Sequence, residues 1–348
     1  MLEIATLVDG YKSNPRKKRR KELLRDILRY YTERGAFEFR DQFWSKLNLE
    51  EQESFVEDLF NYLISCESTE KIMVLELLEA IYLEFTVEKE KVKKKLFSIF
   101  YAALFEKKNY QLALSALKFF SILWKRTDSE DPLRKEIFPK LLDFIDNDIP
   151  ILAEEGIYET LNLIESSLPS QKRDFFEQLL IMATKKDYRK HPEVQYAILN
   201  TINEIITLYL PLIQAYPPER ISEVVQEILK CKYFRHPKPI MEMIKLIFRQ
   251  KIPLSKEAEM NLLALFERAK KKMTYEYRAE FWNYLYQFLE MPTDLPKRTI
   301  IDPFLEDIMA AFQDRGSLSA EVKAYLESLV NLMWGLDVLT EKERRNFY

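Results

Sequence analysis

The segment 109–125, NYQLALSALKFFSILWK, places the strongest constraint on how this chain can fold. Most of its side chains are apolar, and its polar residues at i, i+4, i+7 and i+14 are Gln111, Ser115, Lys118 and Lys125. At 3.6 residues per turn, these four residues share one narrow face of a helix. A helix with only one narrow polar stripe must have its other faces covered by neighbouring elements. We therefore predict that this helix is an inner element of a stacked array.

Glycine is scarce in this chain. Only 5 of its 348 residues are glycine, where average usage would give roughly 24. Few glycines and long blocks of apolar and charged residues favour helices over a sheet with many tight turns. No two glycines lie close enough for a GxGxxG or GxxxxGK phosphate-binding motif. Hydrophobic residues make up 47% of the chain and charged residues 31%, so it can bury a large core and stay soluble.

Helical segments recur along the sequence in pairs. Asn48 opens the first pair with a capping box, and the second helix of that pair covers 70–85. The pairs that follow are 88–105 with 109–125, 133–145 with 149–166, 171–185 with 192–209, 218–230 with 237–249, 256–271 with 274–289, and 300–313 with 320–334. Equivalent helices begin with a period near 40 residues, which is typical of a two-helix repeat.

One predicted helix contains a proline at a telling position. The segment 137–145, IFPKLLDFI, resembles the proline-kinked first helix of a HEAT repeat, with Asp146 or Asp148 at the start of the next turn. The arginine usual early in the second helix of such a repeat is absent. The resemblance to HEAT and armadillo-like repeats implies an all-α, right-handed α-solenoid of about seven antiparallel helix pairs.

A short motif repeats independently of the helix assignments. The sequence YRKHP at 188–192 is followed by YFRHP at 233–237, so that Tyr, His and Pro each recur 45 positions later. Both copies lie in the turn between a first and a second helix. Matching residues at matching places support stacked repeats.

We predict three regions along the chain. Residues 1–47 form an N-terminal arm, a basic helix and a cap, with 1–15 as a loosely held arm. Residues 48–335 form the helical repeat array, and 336–348 form a C-terminal cap fragment. The basic run 16–21 is either the solvated start of a helix or a signal for nuclear targeting or an anionic contact.

The sequence also bears on location. The amino terminus has a short apolar run before its positive charges, the reverse of a secretory signal. No uncharged apolar segment approaches the roughly 18 residues that a membrane-spanning helix needs. We expect a cytoplasmic protein without a transmembrane segment, or a nuclear one if the source is a eukaryote.

The second helices repeat one polar spacing, and two interpretations of it stay open. In the first interpretation, the stripe is only the solvent-exposed face that any surface helix has. In the second, aligned stripes line a concave groove that binds an extended segment or a helix of another protein. The second interpretation makes this a non-catalytic scaffold. Its candidate protein-binding residues are Gln111, Ser115, Lys118, Glu155, Glu159, Asn162, Asn200, Glu204, Glu242, Lys245, Glu276, Glu280, Asn283 and Gln287.

Basic residues collect in the turns between first and second helices. Lysine and arginine there can simply complement the negative ends of the helix dipoles. The alternative is an edge over 185–272 that binds nucleic acid, an acidic protein or another polyanion, although the net charge of −3 requires any such site to be local. Its candidate residues are Lys185, Lys186, Arg189, Lys190, His191, Lys230, Lys232, Arg235, His236, Lys270, Lys271 and Lys272.

Signals for catalysis, cofactors and metals are weak. Cys66 and Cys231 are far apart, and His191 and His236 are the only histidines, so no HExxH or Cys–His cluster exists. No Ser, Cys or Lys nucleophile has a base at a characteristic spacing. We predict no cofactor and leave open whether the chain is an enzyme. Some of the HEAT-like proteins that this chain resembles are base-excising glycosylases or bilin lyases, and those enzymes have few obvious sequence motifs.

Overall fold

The structure is a computed structural model that describes residues 4–13, 17–85, 90–185, 188–209, 218–230, 236–271, 278–314, 316 and 318–347. Of these residues, 84% are helical and none lies in a β-strand. The predicted all-α class is therefore confirmed for the described part of the chain. Contacts divide the chain into two compact units, Met1–Ser167 (unit 1) and Leu168–Tyr348 (unit 2). The boundary falls inside the array predicted over 48–335, and that three-region division stays a prediction.

The described helices of unit 1 follow one another with short connections. They are α1 (Ile4–Ser13), α2 (Lys17–Gln42), α3 (Leu49–Ser65), α4 (Ser68–Ala80), α5 (Glu90–Leu104), α6 (Tyr110–Arg126), α7 (Pro132–Ile145) and α8 (Pro150–Ile164). A π-helical turn, Ile81–Phe85, extends α4. The predicted capping box at the start of α3 is present: Asn48 accepts from Glu51 N at 3.0 Å, and Glu51 accepts from Asn48 N at 2.8 Å.

The described helices of unit 2 begin directly after the boundary. They are α9 (Pro169–Thr184), α10 (Pro192–Leu208), α11 (Pro218–Leu229), α12 (Pro237–Arg249), α13 (Lys256–Lys271), α14 (Arg278–Glu290), α15 (Lys297–Ile301), α16 (Leu305–Gln313), α17 (Ala320–Gly335) and α18 (Glu341–Arg345). Several of them start with proline, which fits the first turn of a helix because its missing N–H would have no partner there.

Helices of unit 1 contact both their sequence neighbours and their equivalents in the next pair. α3 packs against α4, α5 against α6 and α7 against α8, while α4 contacts α6 and α6 contacts α8. Helices joined by a short turn and packed together run antiparallel. α3 and α5 are linked by Lys91 with Glu53 at 2.9 Å. Lys95 bonds Glu57 at 2.7 Å, again 38 positions apart, so these two equivalent helices run parallel.

The first helix differs from the sequence-based expectation. Residues 1–15 were expected to form a loosely held arm, but α1 packs against α2 and buries Leu7, Val8 and Tyr11. The Tyr11 hydroxyl donates to Asp58 Oδ2 of α3 at 2.8 Å, and Arg20 bonds the same oxygen at 2.7 Å. The apolar side chains at i, i+1 and i+4 were the signal that this stretch is held in place.

Unit 2 repeats this packing with different residues. α9 contacts α10 and α11, and α10, α12, α14 and α17 contact one another in chain order. Lys238 of α12 lies 5.7 Å from the ring centroid of Tyr196 of α10. Thr207 Oγ1 accepts from Arg249 Nη1 at 3.4 Å, near the other ends of the same helices. Both contacts span 42 positions, so α10 and α12 run parallel.

Candidate protein-binding surface on the second helices

The second helices are α6 and α8 in unit 1 and α10, α12 and α14 in unit 2, and each carries part of the predicted stripe. On α6, Gln111 and Lys118 are exposed. Ser115 between them is only 8% exposed, and its hydroxyl donates to the Gln111 carbonyl at 2.9 Å. Ser115 was predicted to be a binding residue, but burial makes it unable to contact a partner with its side chain. A serine hydroxyl bonded to the preceding turn satisfies itself without solvent.

On α8, the stripe is divided between solvent and the neighbouring helix. Glu155 and Asn162 are exposed, whereas Glu159 is half-buried. Glu159 accepts a hydrogen bond from Ser121 of α6 and lies 3.7 Å from Lys125 of that helix. The structure thus brings the stripes of α6 and α8 together through Glu159.

The stripes of α10 and α12 meet through a buried polar contact. Glu242 was predicted to face a wet groove, but it is only 7% exposed. Its carboxylate accepts from Asn203 of α10 at 2.8 Å and lies 3.3 Å from Lys245. Asn203 is itself 3% exposed, and it bonds the Glu242 carbonyl as well, at 3.0 Å. Glu242 is therefore a structural link between helices rather than an accessible binding group.

Other stripe residues of unit 2 remain accessible. Glu204 is exposed and accepts from Asn200 at 3.1 Å. Glu280 of α14 is exposed, and Asn283 accepts from Gln287 at 3.1 Å. Pairs of this kind at i and i+4 stabilise a helix by only a few tenths of a kcal/mol, about 0.2–0.5. These side chains can exchange such bonds for bonds to a partner at little cost. Glu276 lies outside the described residues.

Two tyrosines show that the three stripes of unit 2 share one electrostatic environment. The pKa of Tyr196 is raised by burial and then by the negative charges of Glu242, Glu204 and Glu280, which come from three helices. Burial, followed by Glu280, raises the pKa of Tyr284 to about 12. Tyr196 stands four residues before Asn200, so the stripe spacing itself could have included it.

The predicted basic edge is partly neutralised where the structure describes it. Lys230 bonds Glu227 at 2.6 Å. Lys270 bonds Asp307 at 2.6 Å and the Pro303 carbonyl at 2.8 Å. These contacts reduce the positive charge that a polyanion would meet at two of the predicted positions.

The other basic-edge residues have varied surroundings. Lys190 and Lys271 are exposed and Lys185 is half-buried, while His191 and His236 occupy the position just before α10 and α12. α10 and α12 are neighbours, so the two histidines stand at corresponding ends of adjacent helices. Outside the described part of the chain, wholly or in their side chains, lie Lys186, Arg189, Lys232, Arg235 and Lys272.

Two features are absent from the described residues, a cluster of metal ligands and a membrane-spanning helix. Within that part of the chain, no group of three or more His, Cys, Asp and Glu side chains is arranged to hold a metal ion. Among the described helices, none combines the length and apolar character that crossing a membrane requires.

No protein-family model and no curated protein matches this chain. A crystal structure from the Northeast Structural Genomics Consortium, described as that of an engineered protein, is similar to it with a TM-score of 0.49 and 14% sequence identity. That similarity covers 100% of this chain and 98% of the engineered one.

Proposed function

We propose that this protein is a non-catalytic scaffold that binds another protein along the second helices of a helical repeat array. The observation that carries the proposal is the unit 2 stripe, formed by accessible polar residues of three successive helices in contact. Its exposed or half-buried members are Tyr196, Asn200, Glu204, Lys245, Glu280, Asn283 and Gln287. Most of these side chains are held only by weak pairs along their own helix, and a surface of this kind across neighbouring helices suits an extended segment or a helix of a partner.

We further propose that the helix pairs within each unit are stacked repeats of the HEAT or armadillo-like kind. Supporting this, hydrogen bonds between equivalent helices of unit 1 join residues 38, 42 and 45 positions apart. In unit 2 such bonds join residues 39, 42 and 43 positions apart. An offset that stays close to 40 residues is expected when each repeat contacts the next one. The number of pairs and the right-handed sense stay predictions.

A charge-reversal experiment tests the scaffold function. The double variant Glu204→Lys with Glu280→Lys alters only exposed positions of the stripe. The matched control, Asp174→Lys with Glu223→Lys, makes the same charge change on exposed positions of the first helices α9 and α11. Each purified chain would be used to capture proteins from a lysate of the source cells, followed by quantitative mass spectrometry.

We expect a defined partner to be retained by the wild-type chain and the control and to be lost from the stripe variant. Retention by the stripe variant, or equal loss from the control, would contradict the proposal. Binding at the stripe should persist between about 50 mM and about 200 mM salt. Binding of a polyanion through phosphate contacts would be lost over the same range. A salt-sensitive complex would instead favour the basic edge over 185–272.

A further inference from the structure

A cleft on the first helices of unit 1 lies away from the stripe residues. Its volume is about 540 Å³, within the range of ligand-binding clefts, and it is open to solvent. One wall is α5, the other is the start of α7, and Tyr82 of the π-helical turn forms part of the floor. An open cleft leaves one side of its occupant in water, which fits a segment of a protein chain better than an enclosed small molecule.

The α5 wall is positively charged. Lys91 and Lys95 of this helix turn toward α3 and pair with its glutamates. Lys93 and Lys94 line the cleft instead, and neither has an ion-pair partner among the described residues. Lys93 lies 4.9 Å from the Tyr82 ring centroid, and Lys94 is exposed. The charge of this wall is therefore available to an acidic side chain.

Two carboxylates, those of Asp131 and Glu136, line the cleft at the start of α7. Asp131 holds the start of α7 by accepting from Leu133 N at 2.8 Å, so its carboxylate is partly committed. Glu136 is exposed and, among the described residues, has no ion-pair partner. It is the group on this wall that can receive a basic side chain.

Apolar surface separates the two charged walls. Phe97 and Tyr101 of α5 and Leu133 of α7 line the cleft and are half-buried. Half-buried aromatic and aliphatic side chains offer area that a partner can cover, and covering apolar area is favourable.

We propose that the α5–α7 cleft binds an extended segment of another protein in which an apolar side chain stands between an acidic and a basic one. The acidic side chain meets Lys93 and Lys94, the apolar one covers Phe97 and Leu133, and the basic one meets Glu136. This site is additional to the unit 2 stripe, and it does not depend on the stripe being functional.

Peptide titrations of the full-length chain test the proposal. The probes are three heptapeptides. The first is Gly-Glu-Ser-Leu-Ser-Lys-Gly, in which Glu, Leu and Lys stand at alternate positions and share one face of an extended chain. In the other two, glutamine replaces either the lysine or the glutamate. Binding would be followed through the backbone amide signals of Tyr101 and Leu133, which line the cleft, in ¹⁵N–¹H NMR spectra. We expect the mixed-charge peptide to shift these signals and to bind about three- to fivefold more tightly than either single-charge peptide.

Variants at exposed positions distinguish cleft binding from non-specific attraction. Ser98→Trp fills the cleft and should abolish the shifts, and Lys94→Glu should remove the preference for the peptide's glutamate. Lys135→Glu makes the same charge change at an exposed position of α7 that does not line the cleft. It should alter the affinity for the mixed-charge peptide by less than about twofold. Circular dichroism would verify that each variant is folded.

Three outcomes would overturn the proposal. One is equal affinity for the acidic and the mixed-charge peptides, which would indicate a simple anion site. Another is unchanged binding by Ser98→Trp. The third is the absence of amide shifts with peptide up to about 5 mM. All these variants lie on α5 and α7, so none of these results alters the outcome of the Glu204 and Glu280 experiment.

Discussion

A buried arginine joins the ends of second helices in unit 1, whereas a buried asparagine joins second helices near their middles in unit 2. In unit 1, Arg134 is only 4% exposed and donates to the Trp124 carbonyl in the last turn of α6 and to the Ser166 carbonyl just beyond α8, each at 2.7 Å. In unit 2, Asn203 of α10 bonds Glu242 of α12 in mid-helix. Similar helix packing is thus stabilised by a shared cation in one unit and by a buried amide–carboxylate pair in the other.

The two arrangements show at which positions of a helix a buried charge can be stabilised. The last carbonyls of a helix have no partner within the helix and carry partial negative charge, so two helix ends can satisfy one arginine without a carboxylate. Burial lowers the pKa of Arg134, with Asp128 and Asp131 opposing that effect. Mid-helix carbonyls already accept a bond from their own helix, so a buried charged group there needs a side-chain partner as well, as Glu242 has in Asn203.

The largest effect is expected from Arg134→Ala. The variant leaves the Trp124 and Ser166 carbonyls without their charged donor, so the free energy of unfolding should fall by about 3 kcal/mol. Urea denaturation followed by circular dichroism would measure this, and hydrogen exchange would locate the loss in unit 1. The control Arg34→Ala removes a pair with Glu38 in which both side chains are exposed, and it should cost less than about 1 kcal/mol. Equal costs for the two arginines would refute the helix-end explanation.

A smaller effect is expected from Asn203→Ala in unit 2. Removing the amide leaves the buried Glu242 carboxylate with one donor fewer, which should cost about 2 kcal/mol. Asn200→Ala, one turn earlier and paired only with exposed Glu204, should cost less than about 0.5 kcal/mol. Hydrogen exchange should rise in α10 and α12 for the first variant only. A similar loss for both would mean that the mid-helix contact contributes no more than a surface pair.

Gly156→Ala tests how closely α7 packs against α8 in unit 1. A Cβ atom at this position would lie 2.7 Å from Phe144 Cδ1, so α8 must shift away from α7. We expect a net loss of about 1 kcal/mol in thermal unfolding, because the overpacking exceeds the gain in helix propensity. In the control Gly10→Ala, the nearest atom is Leu23 Cδ1 at 3.6 Å, so that variant should not be destabilised. Unchanged stability of Gly156→Ala would indicate looser packing than the structure has.

The smallest effect is a pH dependence at the end of unit 2. Hydrogen bonds from Arg298 lower the pKa of Glu343 to about 2, and both oxygens are 2.7 Å from the guanidinium. Because the folded-state pKa is below the ordinary value of about 4.3, the stabilisation is present above that pH and is lost as the pH falls toward 2. At neutral pH, Glu343→Gln should cost less than about 1 kcal/mol. The difference in the free energy of unfolding between the wild-type chain and the Glu343→Gln variant should vanish near pH 2. A difference that stays constant from pH 7 to pH 2 would contradict this assignment.

The sequence predicted the positions of the helices well, but it predicted the burial of individual side chains poorly. Asn48 with Glu51 signalled the start of α3, and Pro139 lies within α7 as predicted. Glu242 and Ser115, by contrast, were placed on a wet stripe and are buried. A period of 3.6 residues identifies a face of a helix, but it contains no information on how close the next helix approaches.

Local sequence determined that this chain forms helices, where most of them begin, and which face of each is polar, because capping, proline placement and apolar spacing act over a few residues. Tertiary structure decided which polar residues are accessible, where the α5–α7 cleft lies, and that Arg134, Asn203 and Glu242 are internal links. Those outcomes depend on contacts between residues about 30 to 45 positions apart, and a single sequence specifies their separation along the chain but not their distance in space.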